Sequence, residues 1–175
     1  MPQLLFSLNH IKERHYPILA GILKTCLKAS DCIALHGDIG AGKTSFARSF
    51  IQSYLDNQNM EVPSPTFTLA QHYPSQKQDK PDIWHYDFYR LKDENEIFEI
   101  GFEENLNGSI NIVEWPEKIA NHLPKNTLFI QFKSCSAGNS RQLNFISNQG
   151  WNILLEQINN NPDLSKLIEN ENNSS

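Results

Sequence analysis

The feature that most constrains this chain is a glycine-rich segment at residues 37–44, GDIGAGKT, which matches the pattern GxxxxGK(S/T) at every fixed position. An apolar run typical of a strand, residues 32–36, precedes it, and apolar residues at helical spacing follow it. In this setting the glycines let successive backbone N–H groups turn inward around phosphate oxygens, because no Cβ stands in the way. The N-terminus of the following helix directs partial positive charge at the same anion. The segment therefore predicts a phosphate-binding loop, or P-loop.

Two side chains at the end of this segment suit a nucleoside triphosphate. Lys43 is expected to reach the β- and γ-phosphates, and the hydroxyl of Thr44 is expected to ligate Mg²⁺. Without nucleotide we expect Lys43 to face solvent. The alternative interpretation is an ordinary glycine turn followed by a helix cap. The candidate nucleotide-binding residues of the loop are Ile39, Gly40, Ala41, Gly42, Lys43, Thr44 and Ser45.

A P-loop needs a carboxylate on a neighbouring strand, and the sequence offers two. Residues 110–114 have the apolar character of a buried strand that ends in Glu114, and an aromatic run ends in Asp87. Glu114 is interpreted as the acid beside Mg²⁺, with a surface acid at a strand end as the alternative. For Asp87, a catalytic role competes with an ion pair to Arg90. His85 is interpreted as a structural histidine.

The segment at residues 62–68, VPSPTFT, contains two prolines that stiffen the backbone ahead of a predicted strand. It presents the hydroxyls of Ser64 and Thr66. Two interpretations remain open at this point. One is an ordinary transition from loop to strand, and the other is a switch in which Thr66 senses the γ-phosphate.

Apolar periodicity and turn residues predict strands that alternate with helices, and hence an α/β protein. We expect one domain at residues 1–158, a P-loop NTPase-like sheet that is mixed, mostly parallel and flanked by helices. A flexible polar tail is expected at residues 159–175. The expected strands are residues 3–8, 32–36, 66–73, 82–89, 110–114 and 127–133, and the expected helices are residues 10–28, 44–55, 93–100 and 151–158.

Three of these elements carry more specific predictions. The runs at residues 66–73 and 82–89, joined by a polar loop, predict an antiparallel hairpin. Pro17 either begins or kinks the first helix. Asp93 is expected to cap the third helix.

The overall charge limits the classes of partner. The 175 residues carry 15 Lys and Arg against 20 Asp and Glu, a net charge of −5, so tight unaided binding to nucleic acid is disfavoured. Apolar runs are too short to span a membrane, and the charged residues 12–14 interrupt any secretion signal. Three widely spaced cysteines without a CxxC pair favour reduced thiols in a cytoplasmic protein.

Four motifs in order point to a family. They are GDIGAGKT at residues 37–44, SPTF at residues 64–67, HYDFYR at residues 85–90 and VEWP at residues 113–116. Together they resemble the bacterial TsaE (YjeE) family, the small ATPase of tRNA threonylcarbamoyladenosine biosynthesis. The resemblance covers about residues 5–141.

The resemblance implies a cytoplasmic ATPase that acts with the TsaB and TsaD proteins and contacts tRNA only indirectly. That machinery modifies the adenosine next to the anticodon in tRNAs reading codons that begin with A. By the same resemblance, Lys43 and Thr44 bind ATP and Mg²⁺, Glu114 is the second acid on the metal side, and Asp87 and Thr66 support hydrolysis. A loose local match adds a nucleotide contact at Arg141.

Other functions are weighed against this ATPase. A GTPase needs an Asn-Lys-x-Asp segment to read guanine, and the chain has none. A small-molecule kinase usually carries an arginine-bearing lid, whereas the four arginines here are scattered. A binding module gated by nucleotide, in which hydrolysis is incidental, stays open. Because no arginine has an obvious route to the γ-phosphate, we expect slow hydrolysis in the isolated protein.

Overall fold

The computed structural model describes residues 2–135 and 140–168 as one seven-stranded sheet with helices on both faces. The strands are β1 (Gln3–Ile11), β2 (Cys32–His36), β3 (Ala70–Tyr73), β4 (Ile83–Asp87), β5 (Ile110–Glu114), β6 (Leu128–Ser134) and β7 (Arg141–Ser147). The α-helices are α1 (Tyr16–Cys26), α2 (Lys43–Tyr54), α3 (Glu96–Glu99), α4 (Phe102–Leu106) and α5 (Asn152–Asn159). Short 3-10 turns cover Glu13–His15, Pro116–His122 and Ser165–Leu167. The predicted α/β fold is confirmed.

The sheet is parallel in its centre and antiparallel at both edges. The spatial order is β1-β7-β6-β2-β5-β4-β3. β2 pairs in parallel with β5 and β6, and β4 pairs in parallel with β5. The predicted hairpin of β3 and β4 is present, and β7 runs antiparallel to both β6 and β1. The carboxyl ends of β2, β5 and β4 therefore lie side by side, which is where open α/β sheets bind ligands.

Two apolar layers cover the sheet. Helices α1, α2 and α5 pack on one face, where Leu19 and Phe46 are almost completely buried. Helices α3 and α4 lie with Phe88 and Phe102 on the other face. Because side chains alternate along a strand, the face that takes Ile112 also takes the residue two positions later. The last residue of β5, Glu114, is thereby turned toward α2.

The first helix begins later than residue 10. β1 continues to Ile11, and a 3-10 turn intervenes before α1 starts at Tyr16. Pro17 lies in the first turn of α1, where its missing N–H removes no intrahelical hydrogen bond. The interpretation in which Pro17 begins the helix is therefore the right one.

The strand expected at residues 66–73 is a strand only from Ala70. Residues 66–68 form a turn, closed by a 2.7 Å hydrogen bond from the backbone N–H of Leu69 to the carbonyl oxygen of Pro65. This difference matters because it leaves Thr66 in irregular backbone next to the site.

One prediction is wrong, the cap at Asp93, and one strand, β7, was not predicted at all. Asp93 does not cap the third helix, which starts at Glu96. Its carboxylate accepts a 2.9 Å hydrogen bond from the backbone N–H of Asn95, as aspartates in turns do. Strand β7 was not expected, because Gln142 and Asn144 break its apolar pattern; Asn144 instead pairs with Ser7 and Gln131 in the sheet.

A flexible tail was expected from residue 159, but residues up to 168 pack against the folded domain. Leu164 is completely buried in the core beside the helices. Ile168 forms an antiparallel bridge with Leu8 of β1. The folded domain therefore extends past α5, and residues 169–175 lie outside the described part of the chain.

Candidate nucleotide-binding site

The glycine-rich loop joins β2 to α2. Gly42 precedes the helix with a φ of 101°, and Gly37 has a φ of 147°. A Cβ at Gly42 would stand 2.7 Å from the hydroxyl oxygen of Tyr16, and a Cβ at Gly37 would stand 2.7 Å from the carbonyl oxygen of Phe132. Both positions therefore require glycine, for backbone conformation and for space.

Lys43 is folded back onto this loop. Its Nζ donates hydrogen bonds to the carbonyl oxygens of Gly37 (2.6 Å) and Asp38 (2.8 Å), and it lies 4.0 Å from the centroid of the Trp115 ring. The residue is only 5% exposed, so the prediction that it faces solvent is wrong. Burial lowers the pKa of Lys43, and neighbouring carboxylates oppose that shift.

Glu114 connects the loop helix to the sheet. Its Oε2 accepts a 2.8 Å hydrogen bond from the hydroxyl of Thr44, and its Oε1 lies 2.9 Å from Nε2 of His85. Glu114 is 2% exposed and His85 is fully buried. The contact with Thr44 follows from strand order, because β5 lies directly beside β2 and both end at the loop.

Asp87 stands opposite Glu114 in the register of β4 and β5. Its Oδ2 accepts hydrogen bonds from the hydroxyls of Thr66 (2.6 Å) and Ser64 (3.2 Å). Its Oδ1 accepts a 3.0 Å hydrogen bond from the backbone N–H of Tyr89. Asp87 is thus tied to the proline-rich segment at residues 62–68 and not to the P-loop.

Arg90 takes no part in holding Asp87. Its guanidinium carbon lies 4.1 Å from the centroid of the Phe67 ring, which is 81% exposed. Among the ion pairs of the described residues, none joins Arg90 to Asp87, so that alternative is not what the chain uses.

Arg141, the first residue of β7, contacts the backbone of the P-loop. Its Nε donates a hydrogen bond to the carbonyl oxygen of Ala41. The same Nε lies 3.1 Å from the position that a Cβ on Gly42 would take. Arg141 therefore supports the loop backbone, and it does not line the open space in front of the loop.

That open space is a cleft of about 360 Å³. It brings together most of the candidate site residues: Ile39, Gly40, Gly42, Lys43, Thr44, Ser45, Thr66, Asp87 and Glu114 line it. Ala41 is buried behind them. Glu13 and Tyr89 also line the cleft and were not expected. Glu13 lies outside the four motifs, and Tyr89 lies within HYDFYR but was not singled out there. A larger cavity of about 590 Å³ lies elsewhere and contains neither the loop nor the acids.

A family model described as "Threonylcarbamoyl adenosine biosynthesis protein TsaE" matches residues 12–143, which include the whole P-loop and both acids. This chain belongs to the TsaE family. The match also includes Arg141, whose contact with the loop was described above.

Relatives in the TsaE family cover most of the chain. A Rickettsia felis protein named "tRNA threonylcarbamoyladenosine biosynthesis protein TsaE" is 37% identical over 151 residues, covering 86% of this chain and 85% of that protein. The Bacillus subtilis protein of the same name is 30% identical over 149 residues, covering 84% and 89%. The crystal structure of Bacillus subtilis YdiB has the same fold, with a TM-score of 0.66 and 24% identity over 90% of this chain and 95% of that one.

The donor set of this TsaE-family site suits Mg²⁺ held together with phosphates. Thr44 and Glu114 offer hard oxygen ligands, and Mg²⁺ usually takes one or two protein ligands plus phosphate and water oxygens. Within residues 2–135 and 140–168, no group of three or more His, Cys, Asp or Glu is arranged to hold a metal alone. In the same residues, no helix has the length and apolar character needed to cross a bilayer.

Proposed function

We propose that this protein is a Mg²⁺-dependent ATPase that acts with the TsaB and TsaD proteins, in the cytoplasm, in the biosynthesis of threonylcarbamoyladenosine in tRNA. The hydrogen bond between Thr44 and Glu114 carries the proposal. It joins the hydroxyl at the end of a P-loop to a carboxylate on the adjacent strand, which is the pair that holds Mg²⁺ in P-loop NTPases. The names of the relatives support the place in tRNA modification.

The phosphates of ATP would enter the cleft in front of the loop. Lys43 leaves the two carbonyl oxygens that it now contacts and donates to the β- and γ-phosphates, which offer it full negative charge. Thr44 and Glu114 are the residues that would hold Mg²⁺. When bound there, Mg²⁺ offsets the negative charge that develops on the phosphate oxygens.

Asp87 lines the same cleft, one strand further from the P-loop than Glu114. Its carboxylate is held by Ser64 and Thr66, which line the same cleft. We assign to Asp87 and Thr66 the orientation of the water that attacks the γ-phosphorus, while ADP departs. A small change in the Ser64–Thr66 segment is enough to move this carboxylate, since both hydroxyls contact one of its oxygens.

None of the four arginines of this chain lines the cleft, and each contacts another part of the protein. Arg14 contacts His15, Arg48 donates to the carbonyl oxygen of Val62, and Arg90 stacks on Phe67. The fourth, Arg141, contacts the loop backbone. This placement supports slow hydrolysis in isolation, since an arginine supplied by a partner accelerates such reactions by about 10³–10⁵-fold.

The rim of the cleft supports a partner at the same place. Three large apolar side chains are exposed there, Ile39 at 72%, Phe67 at 81% and Tyr89 at 44%. Exposed apolar residues that surround a site indicate a surface that another protein covers. The partners would bind over the cleft and could complete it.

The test is ATP turnover by the pure protein, then with TsaB and TsaD, with and without tRNA. We expect slow turnover alone and a rate that rises by at least 10-fold with the partners, because a group supplied in trans is worth more than that. Fast turnover that the partners do not change would contradict the proposal.

A second function, nucleotide-gated binding with incidental hydrolysis, uses the same loop. A Glu114→Gln protein that binds ATP but does not hydrolyse it separates the two. If it supports tRNA modification over many rounds as the wild type does, binding alone is the function. If modification stops after about one round, hydrolysis is required.

A further inference from the structure

His85 is the one buried residue of the site to which no role has yet been given. It lies on β4 two residues before Asp87, and its side chain is completely inaccessible to solvent. Nε2 lies 2.9 Å from Oε1 of Glu114, while Nδ1 is buried without a hydrogen-bond partner among the described residues. The ring therefore makes one polar contact, and that contact is with Glu114.

This arrangement settles which nitrogen carries the proton. The carboxylate of Glu114 can only accept, so this hydrogen bond requires the proton to be on Nε2 of His85. A buried polar atom without a partner costs free energy, and an apolar side chain would fill the same space without that cost. The hydrogen bond to Glu114 is the contribution of His85 that an apolar side chain could not make.

We propose that His85 is a positioning residue, which fixes the orientation of the Glu114 carboxylate so that its other oxygen faces Thr44 and Mg²⁺. The inference rests on the proposed Mg²⁺-ATP function. The two oxygens of Glu114 have different partners, so the carboxylate cannot rotate without losing both hydrogen bonds. His85 does not line the cleft, so it would act only through Glu114.

The role becomes more important when the metal binds. A Thr44 hydroxyl that served as a Mg²⁺ ligand would hold Glu114 less firmly than it does through the present hydrogen bond. His85 remains as the described side chain that holds the carboxylate. Mg²⁺ demands near-ideal octahedral geometry, whereas Ca²⁺ accepts flexible geometry, so a loosened Glu114 affects Mg²⁺ more than Ca²⁺. Hydrogen-bond partners behind metal ligands typically contribute 10- to 100-fold to metal affinity, about what we expect here.

The experiment measures ADP binding by calorimetry without metal, with Mg²⁺ and with Ca²⁺. The variants are His85→Leu, which fills the space without a donor, and His85→Gln, which keeps an N–H donor. Tyr86→Phe is the matched control, since Tyr86 is the next residue of β4, equally buried, and contacts Asn105 on the other face. We expect His85→Leu to leave metal-free ADP affinity within about twofold and to reduce the enhancement by Mg²⁺ at least about 10-fold. The enhancement by Ca²⁺ should fall less, and His85→Gln should recover much of the loss.

Two outcomes separate this inference from the proposed function. Wild-type protein whose ADP affinity does not respond to Mg²⁺ would overturn the proposed function, and the inference with it. Normal enhancement in the wild type that persists in His85→Leu, whatever its melting temperature, would overturn only the inference.

A measurement on the wild type does not depend on whether any variant folds. Long-range ¹H–¹⁵N NMR spectra distinguish a protonated ring nitrogen from an unprotonated one. We expect His85 to carry its proton on Nε2. A proton on Nδ1 and none on Nε2 would overturn the inference, because Nε2 could then not donate to Glu114.

Discussion

Glu114 and Asp87 are two buried carboxylates at the ends of adjacent parallel strands, opposite each other in register, yet their surroundings differ. Glu114 is held by a helix residue, Thr44, and by a buried strand residue, His85. Asp87 is held by Ser64 and Thr66, which belong to neither helix nor strand. Both acids end strands of the sheet, but side chains of a helix and a strand hold Glu114, whereas side chains of a loop and one backbone N–H, that of Tyr89, hold Asp87.

Strand order explains the difference. β5 is adjacent to β2 and therefore ends beside the P-loop, whereas β4 is one strand further away. The loop that reaches Asp87 continues into Phe67, which is largely exposed. In the proposed function, Glu114 would hold the metal from the sheet and helix, while a partner that binds the exposed loop would change the position of Asp87.

The largest effect is expected at Lys43, whose ammonium interacts with the carboxylates of both Glu114 and Asp87. Lys43→Ala should lower ATP turnover by about 10³-fold, because it removes the cation that offsets charge on the transferred phosphoryl group. The fold should persist, as circular dichroism would verify. Lys118→Ala, an exposed lysine outside the cleft, is the control. Wild-type turnover in Lys43→Ala would mean that this loop is not the phosphate site.

Exchanging each acid for its amide tests the comparison directly. Asp87→Asn should slow turnover by about 10²-fold, the lower end of what acid–base groups contribute. Glu114→Gln should slow it by a similar factor, because Mg²⁺ and the charge stabilisation it supplies are held less firmly. Only Glu114→Gln should lose the enhancement of ADP binding by Mg²⁺, because only Glu114 contacts Thr44. The opposite result, with Mg²⁺ enhancement lost in Asp87→Asn alone, would reverse the two roles.

A smaller effect should follow when only the loop side is changed. Thr66→Val keeps the shape but loses the 2.6 Å hydrogen bond to Asp87, and we expect turnover to fall about 10-fold, the effect of losing one charge-assisted hydrogen bond. ADP binding with Mg²⁺ should not change. Thr68→Val, exposed and two residues away, should behave like the wild type. If both variants slow turnover equally, the hydroxyl of Thr66 has no special role.

The smallest effect on activity is expected at a carboxylate outside the site. Hydrogen bonds from Lys77 and Lys24 hold the pKa of Asp56 well below its ordinary value of 3.8. Its charge therefore stabilises the fold above that value, and the stabilisation is lost as pH falls toward the lowered pKa. Asp56→Asn should melt slightly below the wild type at pH 7, and the two should converge in acid. Turnover at pH 7 should stay at the wild-type rate, since Asn tolerates the positive φ of 55° at this position.

The parts of the site that sequence reasoning placed correctly depend on neighbours along the chain. Residues 37–44 form a contiguous pattern, so the loop and the helix after it could be predicted from local sequence alone. Glu114 could be placed because it ends an apolar strand, and such strands end at the ligand-binding edge of a parallel sheet.

The parts that sequence reasoning did not place depend on contacts between distant segments. The bond from His85 to Glu114 requires the register of β4 against β5, which no local pattern specifies. The burial of Lys43 depends on the ring of Trp115, 72 positions later in the chain. Leu164 lies in an asparagine-rich stretch of low apolar content. Its burial could not be predicted, because no periodic apolar pattern surrounds it.

That anchored C-terminal segment has a consequence for the behaviour of the protein in concentrated solution. β1 is an outer strand of the sheet, and the backbone groups of an outer strand can pair with strands of other molecules. The bridge from Ile168 to Leu8 occupies part of that edge, and Leu164 holds the segment in place. By covering part of β1, the segment from Leu164 to Ile168 should reduce the pairing of this strand with other molecules. A chain that ends at Asn159 would keep its P-loop and both acids, but the edge of β1 would be exposed to other molecules. We expect such a chain to precipitate before it loses activity.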